Sequence, residues 1–332
     1  MKSYKPLQCF LCRDFYKHHR GCFHLGNNKN FFSLIFSVLS IFSSASHAKE
    51  YVFIGVPNIH RIEIVISLLE KPKEDKMNFI VPSCSQKDMA EINKKFKSNI
   101  NAVSYIPTLE KRPQYLKLDF FDRNFDKIAE IYKDIHAKTL KVEGIISASE
   151  YAVYPAARLR SMYNIPGLKK AQGVYFRDKY QMKKRLQSDV FKNRKTLIHL
   201  PKFAHLNEGM KVDHVLSQMA HSGIDFPIIL KPRSYGGSLG VYLVKNKSHL
   251  FEIISQHKNR TPYEVNEFVD AKVIQVNGVV ADGTINLISS YEYGDTPLDS
   301  GMYGKNEQTH FEIRGKNIDE KLYALASEVI YR

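Results

Sequence analysis

From residue 50 onward, short apolar runs alternate with stretches whose apolar residues recur every three or four positions. Residues 51–56 (YVFIGV) form an apolar run closed by Pro57, which predicts a buried strand. Residues 59–69 carry apolar positions at helical spacing and are followed by Pro72. Residues 77–81 predict a second strand before Pro82, and residues 86–96 a polar helix. Residues 102–106 and 115–120 are further strand candidates, 125–136 an amphipathic helix, and 142–147 another strand. Strands that alternate with helices predict a mostly parallel sheet, because each parallel neighbour needs a crossover. Residues 49–165 therefore read as a Rossmann-like α/β domain, with residues 151–163 as its closing helix before the IPG turn at 165–167. Gly55 stands alone, and neither GxGxxG nor GxxxxGK[ST] occurs, so this layer has no dinucleotide or Walker phosphate loop. Further on, residues 176–186 (FRDKYQMKKRL) predict a basic helix with a solvated face, and residues 197–201 a short strand.

The first 48 residues break the pattern. An uncharged run, 31–48, has a strongly apolar part of twelve residues at 31–42. Twelve helical residues reach about 18 Å, short of the roughly 30 Å hydrocarbon core. With basic residues before it and Ser46, His47 and Ala48 behind, the run has the form of a signal-peptide core. A disordered or mis-started leader is the other reading, and both stay open. Cys9, Cys12, His18, His19, Cys22 and His24 have the types of a tetrahedral zinc site. The spacing is one place off a zinc knuckle, and the segment runs into the apolar stretch rather than a domain. Unpaired cysteines in a leader are the expectation.

Composition narrows the classes. The chain has 332 residues, four Cys and a formal charge of +15, which excludes a disulfide scaffold and raises an anionic partner. The first fifty residues hold seven of the basic residues, and the rest is spread along helices that also carry Asp or Glu. No aromatic-plus-basic motif marks a nucleic-acid surface, so no nucleic-acid partner is expected.

The chemistry concentrates at residues 226–244 (FPIILKPRSYGGSLGVYLV). Two strand-like runs, 228–231 and 241–244, flank a loop with three Gly and two Ser. Such a loop brings backbone N–H groups close to an anion, and Lys231 adds a compact positive charge at its start. A wide hairpin is the plain alternative.

Residues 227–241 resemble the glycine-rich loop of ATP-grasp ligases, whose pattern is roughly P-x-[VI]-[VIL]-K-P-x-x-x-G-G-S-x-G-V. The resemblance extends outward in order: SEYAV at 149–153 and PAA at 155–157, then IPG at 165–167 with Arg177, Asp178 and Lys179, then VNEFVD at 265–270 and QVNGVVADG at 275–283. It covers residues 50–332 and implies a mixed α/β and α+β fold. A Rossmann-like pre-ATP-grasp domain (49–165) would precede an ATP-grasp clamp (166–332), divided into a first subdomain (166–262) and a partial second one (263–332). The resemblance implies ATP and Mg²⁺ as cofactors, small carboxylate and amine substrates, and an acyl-phosphate intermediate. It assigns Lys179 and Lys231 to ATP phosphates and Gly236, Gly237, Ser238 and Gly240 to a cover over them. Glu267, Phe268 and Val269 would form the hinge strand that meets adenine. Phosphoryl transfer suits such a set, since it needs positioning and positive charge more than covalent help.

The chain departs from the family pattern in two places. Asn266 and Val273 stand where acidic residues are usual, and Glu264 lies two positions upstream, about 6.6 Å along a strand. No Glu-x-Asn strand follows Gly283, and Glu307 and Glu312 read as solvated loop carboxylates. Residues 320–332 read as a helix. The expectation is a clamp whose second subdomain is incomplete, with low or no activity as this chain and its metal ligands beyond Arg332. A split-protein partner or a homo-oligomer could complete it. The alternative function is a non-catalytic nucleotide-binding or interaction protein. The need for ATP points to the cytoplasm, against export or membrane association through residues 31–48.

Overall fold

The computed structural model describes residues 48–113, 116, 118–139, 141–188, 198–206, 211–256, 262–281, 284–294, 310–313 and 316–330. The leader and its cysteine–histidine set lie outside the described residues.

Four strands form a parallel sheet: β1 (Glu50–Ile54), β2 (Lys76–Pro82), β3 (Ile100–Ile106) and β4 (Val142–Ile146), in the order β3-β2-β1-β4. Side chains of β1 and β2 alternate between two covered faces, whereas in the edge strand β3 only Ile106 is buried. Phe53, Met77, Phe79 and Val81 share one face, where the Phe53 and Phe79 rings lie 5.4 Å apart. Helices α1 (Ile59–Ser67) and α2 (Gln86–Phe96) cover it with Ile62, Ile66, Met89 and Ile92. Val52, Ile54 and Ile80 face the other way. There they meet α3 (Phe120–Arg123), α4 (Phe125–Lys138) and α5 (Val153–Met162) through Phe121, Ile128, Tyr132 and Leu159. Of the strand expected at 115–120, residues 115 and 117 lie outside the described residues, residues 118–119 form a turn, and Phe120 opens α3 instead of pairing. Phe120 and Phe121 meet edge to face at 5.2 Å and are buried by a helical turn rather than by pairing.

After a short α6 (Lys170–Gly173) comes α7 (Lys179–Leu186), which starts three residues later than the expected 176–186. The cause is Asp178, whose carboxylate accepts from the Tyr180 and Gln181 N–H groups as an N-cap. A second, antiparallel sheet follows: β5 (Phe203–Leu206), β6 (Ile228–Pro232), β7 (Tyr242–Val244) and β8 (Tyr263–Glu267), ordered β5-β8-β6-β7. The expected strand at 197–201 is displaced to Phe203–Leu206, because that stretch pairs with β8. One face packs Ala204, Leu206, Ile228, Leu230, Val244, Tyr263 and Val265 against α8 (Val212–Ser222) and α9 (Lys247–Gln256). By alternation, Lys231, Glu264 and Asn266 point to the opposite face.

A third sheet, β9 (Ile274–Ala281), β10 (Thr284–Tyr293) and β11 (His310–Glu312), is antiparallel in the order β11-β10-β9. Helix α10 (Lys316–Ile330) packs on β10. Among the described residues, no helix is long and apolar enough to cross a membrane.

Candidate functional site

The loop between β6 and β7 turns through the left-handed region at Gly237 (φ +61°), Ser238 (φ +57°) and Gly240 (φ +70°). Gly240 is also crowded: a Cβ there would stand 2.9 Å from Pro232 Cγ and 2.9 Å from Tyr263 Oη. Gly237 has nothing within 4 Å of that position. A Cβ on Gly236 would meet the Glu150 carboxylate at 3.0 Å. The loop holds itself through Leu239 N–H to the Gly236 carbonyl (3.3 Å) and Val241 N–H to the Ser238 carbonyl (3.2 Å).

Residues 177–179 grip this loop from outside. Arg177 donates to Glu150 Oε1 (2.9 Å) and to the Ser234 carbonyl (2.6 Å). Asp178 takes both Nε (3.0 Å) and Nη2 of Arg233. The Lys179 N–H donates to the Arg233 carbonyl at 3.0 Å, and its ammonium donates to the Tyr235 carbonyl. Burial, then the neighbouring Lys231 charge, pulls the Lys179 pKa below the ordinary lysine value.

The polar face of the second sheet carries a buried charge cluster that the sequence reading missed. Lys183 is 5% exposed, Glu264 0% and Asn266 2%. The Lys183 ammonium donates to Glu264 Oε1 at 2.6 Å and to Asn266 Oδ1. Lys231 Nζ lies 3.5 Å from the same Glu264 oxygen. Burial, reinforced by the Lys231 charge, holds Lys183 down to about 8. So α7 is not simply a solvated basic helix: one lysine per turn, Lys179 then Lys183, faces the sheet. That spacing of four was the available signal. Glu264 Oε2 and Asn266 Nδ2 are buried without hydrogen-bond partners, on the face that also carries Lys231.

The hinge residues lie elsewhere. Glu267 closes β8, three residues beyond Glu264, or about 10 Å along the strand. Its carboxylate accepts from the Lys202 N–H at 2.9 Å, and its own N–H donates to the Lys202 carbonyl at 3.0 Å. Phe268 and Val269 were expected within the hinge strand. They follow its end instead and are 37% and 58% exposed, with Phe268 N–H reaching the Pro227 carbonyl at 3.3 Å. That bond keeps the β6–β8 register, and the ladder ends there because Pro227 has no N–H to return it.

The residues described do not fit a magnesium site. Among them no three His, Cys, Asp or Glu side chains stand together. Glu292 is paired with Lys272 at 2.7 Å, and Glu307 lies outside the described residues.

A Rossmann-like parallel sheet is followed by antiparallel layers, with a glycine loop joining β6 to β7 beside a lysine-bearing sheet face. The chain has the ATP-grasp fold. It superposes on the L-amino acid ligase of Bacillus licheniformis with a TM-score of 0.60 at 12% identity, over 86% of this chain and 60% of that one. It also matches carboxyaminoimidazole ribonucleotide synthase of Aspergillus clavatus, solved with ATP, with a TM-score of 0.53 at 10% identity, over 85% of this chain and 63% of that one. The chain thus spans about three fifths of the length of these two structures. No protein-family model and no curated protein sequence matches it.

Proposed function

We propose that this chain binds ATP as part of an ATP-dependent carboxylate–amine ligase. The carrying observation is the charge on one sheet face: Lys179, Lys183 and Lys231 converge around a single carboxylate, Glu264, beside the glycine loop. That face has a net charge of about +2 in a partly buried setting, which suits a polyphosphate. In this reading Lys231 and Lys179 meet the phosphates. Gly236, Gly237, Ser238 and Gly240 supply backbone N–H groups around them. Glu267, Phe268 and Val269 border the base. ATP would phosphorylate a small carboxylate, and an amine would displace phosphate from the acyl phosphate to form an amide. The name of the Bacillus licheniformis neighbour supports amino acids as the substrate class. The division at residues 165/166 and a cytoplasmic setting, where ATP is available, belong to the same reading.

Equilibrium calorimetry of the full chain with ATP tests it. Lys231→Ala is expected to weaken ATP binding at least tenfold, as loss of one charge-assisted contact does. No ATP binding by the wild type, or an unchanged Kd in the variant, refutes the assignment. ATP binding without phosphate release or amide formation in the presence of amino acids would select the non-catalytic alternative.

A further inference from the structure

The glycine loop is held from outside by three consecutive residues. Arg177 binds the Ser234 carbonyl, Asp178 binds the Arg233 guanidinium, and Lys179 binds the Tyr235 carbonyl. Lys179 adds a main-chain bond to the Arg233 carbonyl, and its ammonium lies 3.5 Å from that same oxygen. On the other side, Glu150 holds Arg177 and presses its carboxylate against Gly236. The ammonium proposed for the phosphates is therefore bound by the loop itself. A carbonyl oxygen offers a partial charge and a phosphate oxygen a full one, so a polyphosphate outcompetes Tyr235 for it.

We propose that Arg177, Asp178 and Lys179 form a clasp that parks the glycine loop in the nucleotide-free protein. A nucleotide polyphosphate opens the clasp by drawing Lys179 off the Tyr235 carbonyl. The opening half rests on the proposed ATP binding; the parking half is a property of the free protein alone. The device couples occupancy to loop freedom with no additional effector, because one side chain serves both partners in turn.

Amide hydrogen exchange on the full chain tests both halves. The probes are the N–H groups of Leu239 and Val241, which bond within the loop, with Phe53 and Phe79 amides as controls for the fold. Without nucleotide, Lys179→Met is expected to speed exchange at Leu239 and Val241 about tenfold or more, leaving the controls unchanged. Unchanged loop exchange in a folded variant overturns the clasp. If Lys179→Met loses protection throughout, Glu150→Gln decides: roughly threefold faster loop exchange supports the clasp, and no change overturns it. Adding ATP to the wild type is expected to alter Leu239 and Val241 exchange, with that response absent in Lys179→Met. ATP that binds yet leaves the wild-type loop unchanged overturns the opening half. Failure of ATP to bind refutes the proposed function instead, while the nucleotide-free comparison still decides whether the clasp exists.

Discussion

Gly237 and Gly240 form a controlled pair for testing how the glycine loop is built. Both have left-handed backbones, at φ +61° and +70°. An alanine at either site meets the same intrinsic penalty of about 1–2 kcal/mol for an L-residue in that region. Each also gains about 0.4–1 kcal/mol because alanine restricts the unfolded chain. Their surroundings differ. At Gly237 an added Cβ reaches open space, so Gly237→Ala is expected to cost about 0.5–1 kcal/mol. At Gly240 it stands 2.9 Å from the ring of Pro232 and 2.9 Å from Tyr263 Oη. Pro232 ends β6, and Tyr263 is 1% exposed within the core, so neither neighbour can swing aside. Overpacking against such rigid groups adds about 1–3 kcal/mol. Gly240→Ala is therefore expected to cost about 2–4 kcal/mol, a visible fraction of a stability of about 5–15 kcal/mol. Urea unfolding at a shared slope measures both variants. If Gly240→Ala loses no more than Gly237→Ala, the crowding at Gly240 is not what the structure implies, and the loop is anchored elsewhere.

Lys183 predicts a pH response. Its folded value of about 8 lies below the ordinary 10.5, so between those values the unfolded chain holds the extra proton. Wild-type stability should therefore gain about 3 kcal/mol from this group as pH rises from 8 to 10.5, and Lys183→Met should lack that gain in urea unfolding across the range. Tyr51 and Tyr132, pushed up to about 12 chiefly by burial, act in the opposite sense above pH ~10 in both proteins and cancel in the difference. Asn58→Ala removes the oxygen that accepts from the His60 and Arg61 N–H groups, so α1 should lose about 1 kcal/mol, read as a lower urea midpoint.

Local chemistry was legible in the sequence, and long-range pairing was not. The parallel sheet was readable because its strands are continuous apolar runs punctuated by Pro57, Pro72 and Pro82, and α2 falls on the expected residues. The glycine loop was readable because closely spaced glycines permit the left-handed turns that Gly237 and Gly240 adopt, whereas the left-handed Ser238 was not foreshadowed by its residue type. Residues 115–120 failed because a short apolar run suits a strand or a buried helical turn equally, and only the packing of Phe120 and Phe121 decides between them. Lys183 failed for a different reason. A lysine on a basic helix belongs in water unless an anion elsewhere holds it, and its anion, Glu264, is 81 residues away. Nor was Glu264 legible on its own, because a strand carboxylate finds its cation only once a distant helix packs over that face. In the structure Glu264 and Asn266 act together, since alternation puts both on one face and a single ammonium bonds both. Sharing a face does not make Glu264 a simple replacement for an acidic residue at 266, because the two positions lie about 6.6 Å apart along the strand. The negative charge beside Lys183 is that of Glu264, while Asn266 gives the lysine a second acceptor and leaves its amide nitrogen buried without a hydrogen-bond partner. Charge acts over distance and so tolerates a shift in position, whereas Gly236 and Gly240 have neighbours within about 3 Å of an added Cβ and tolerate none.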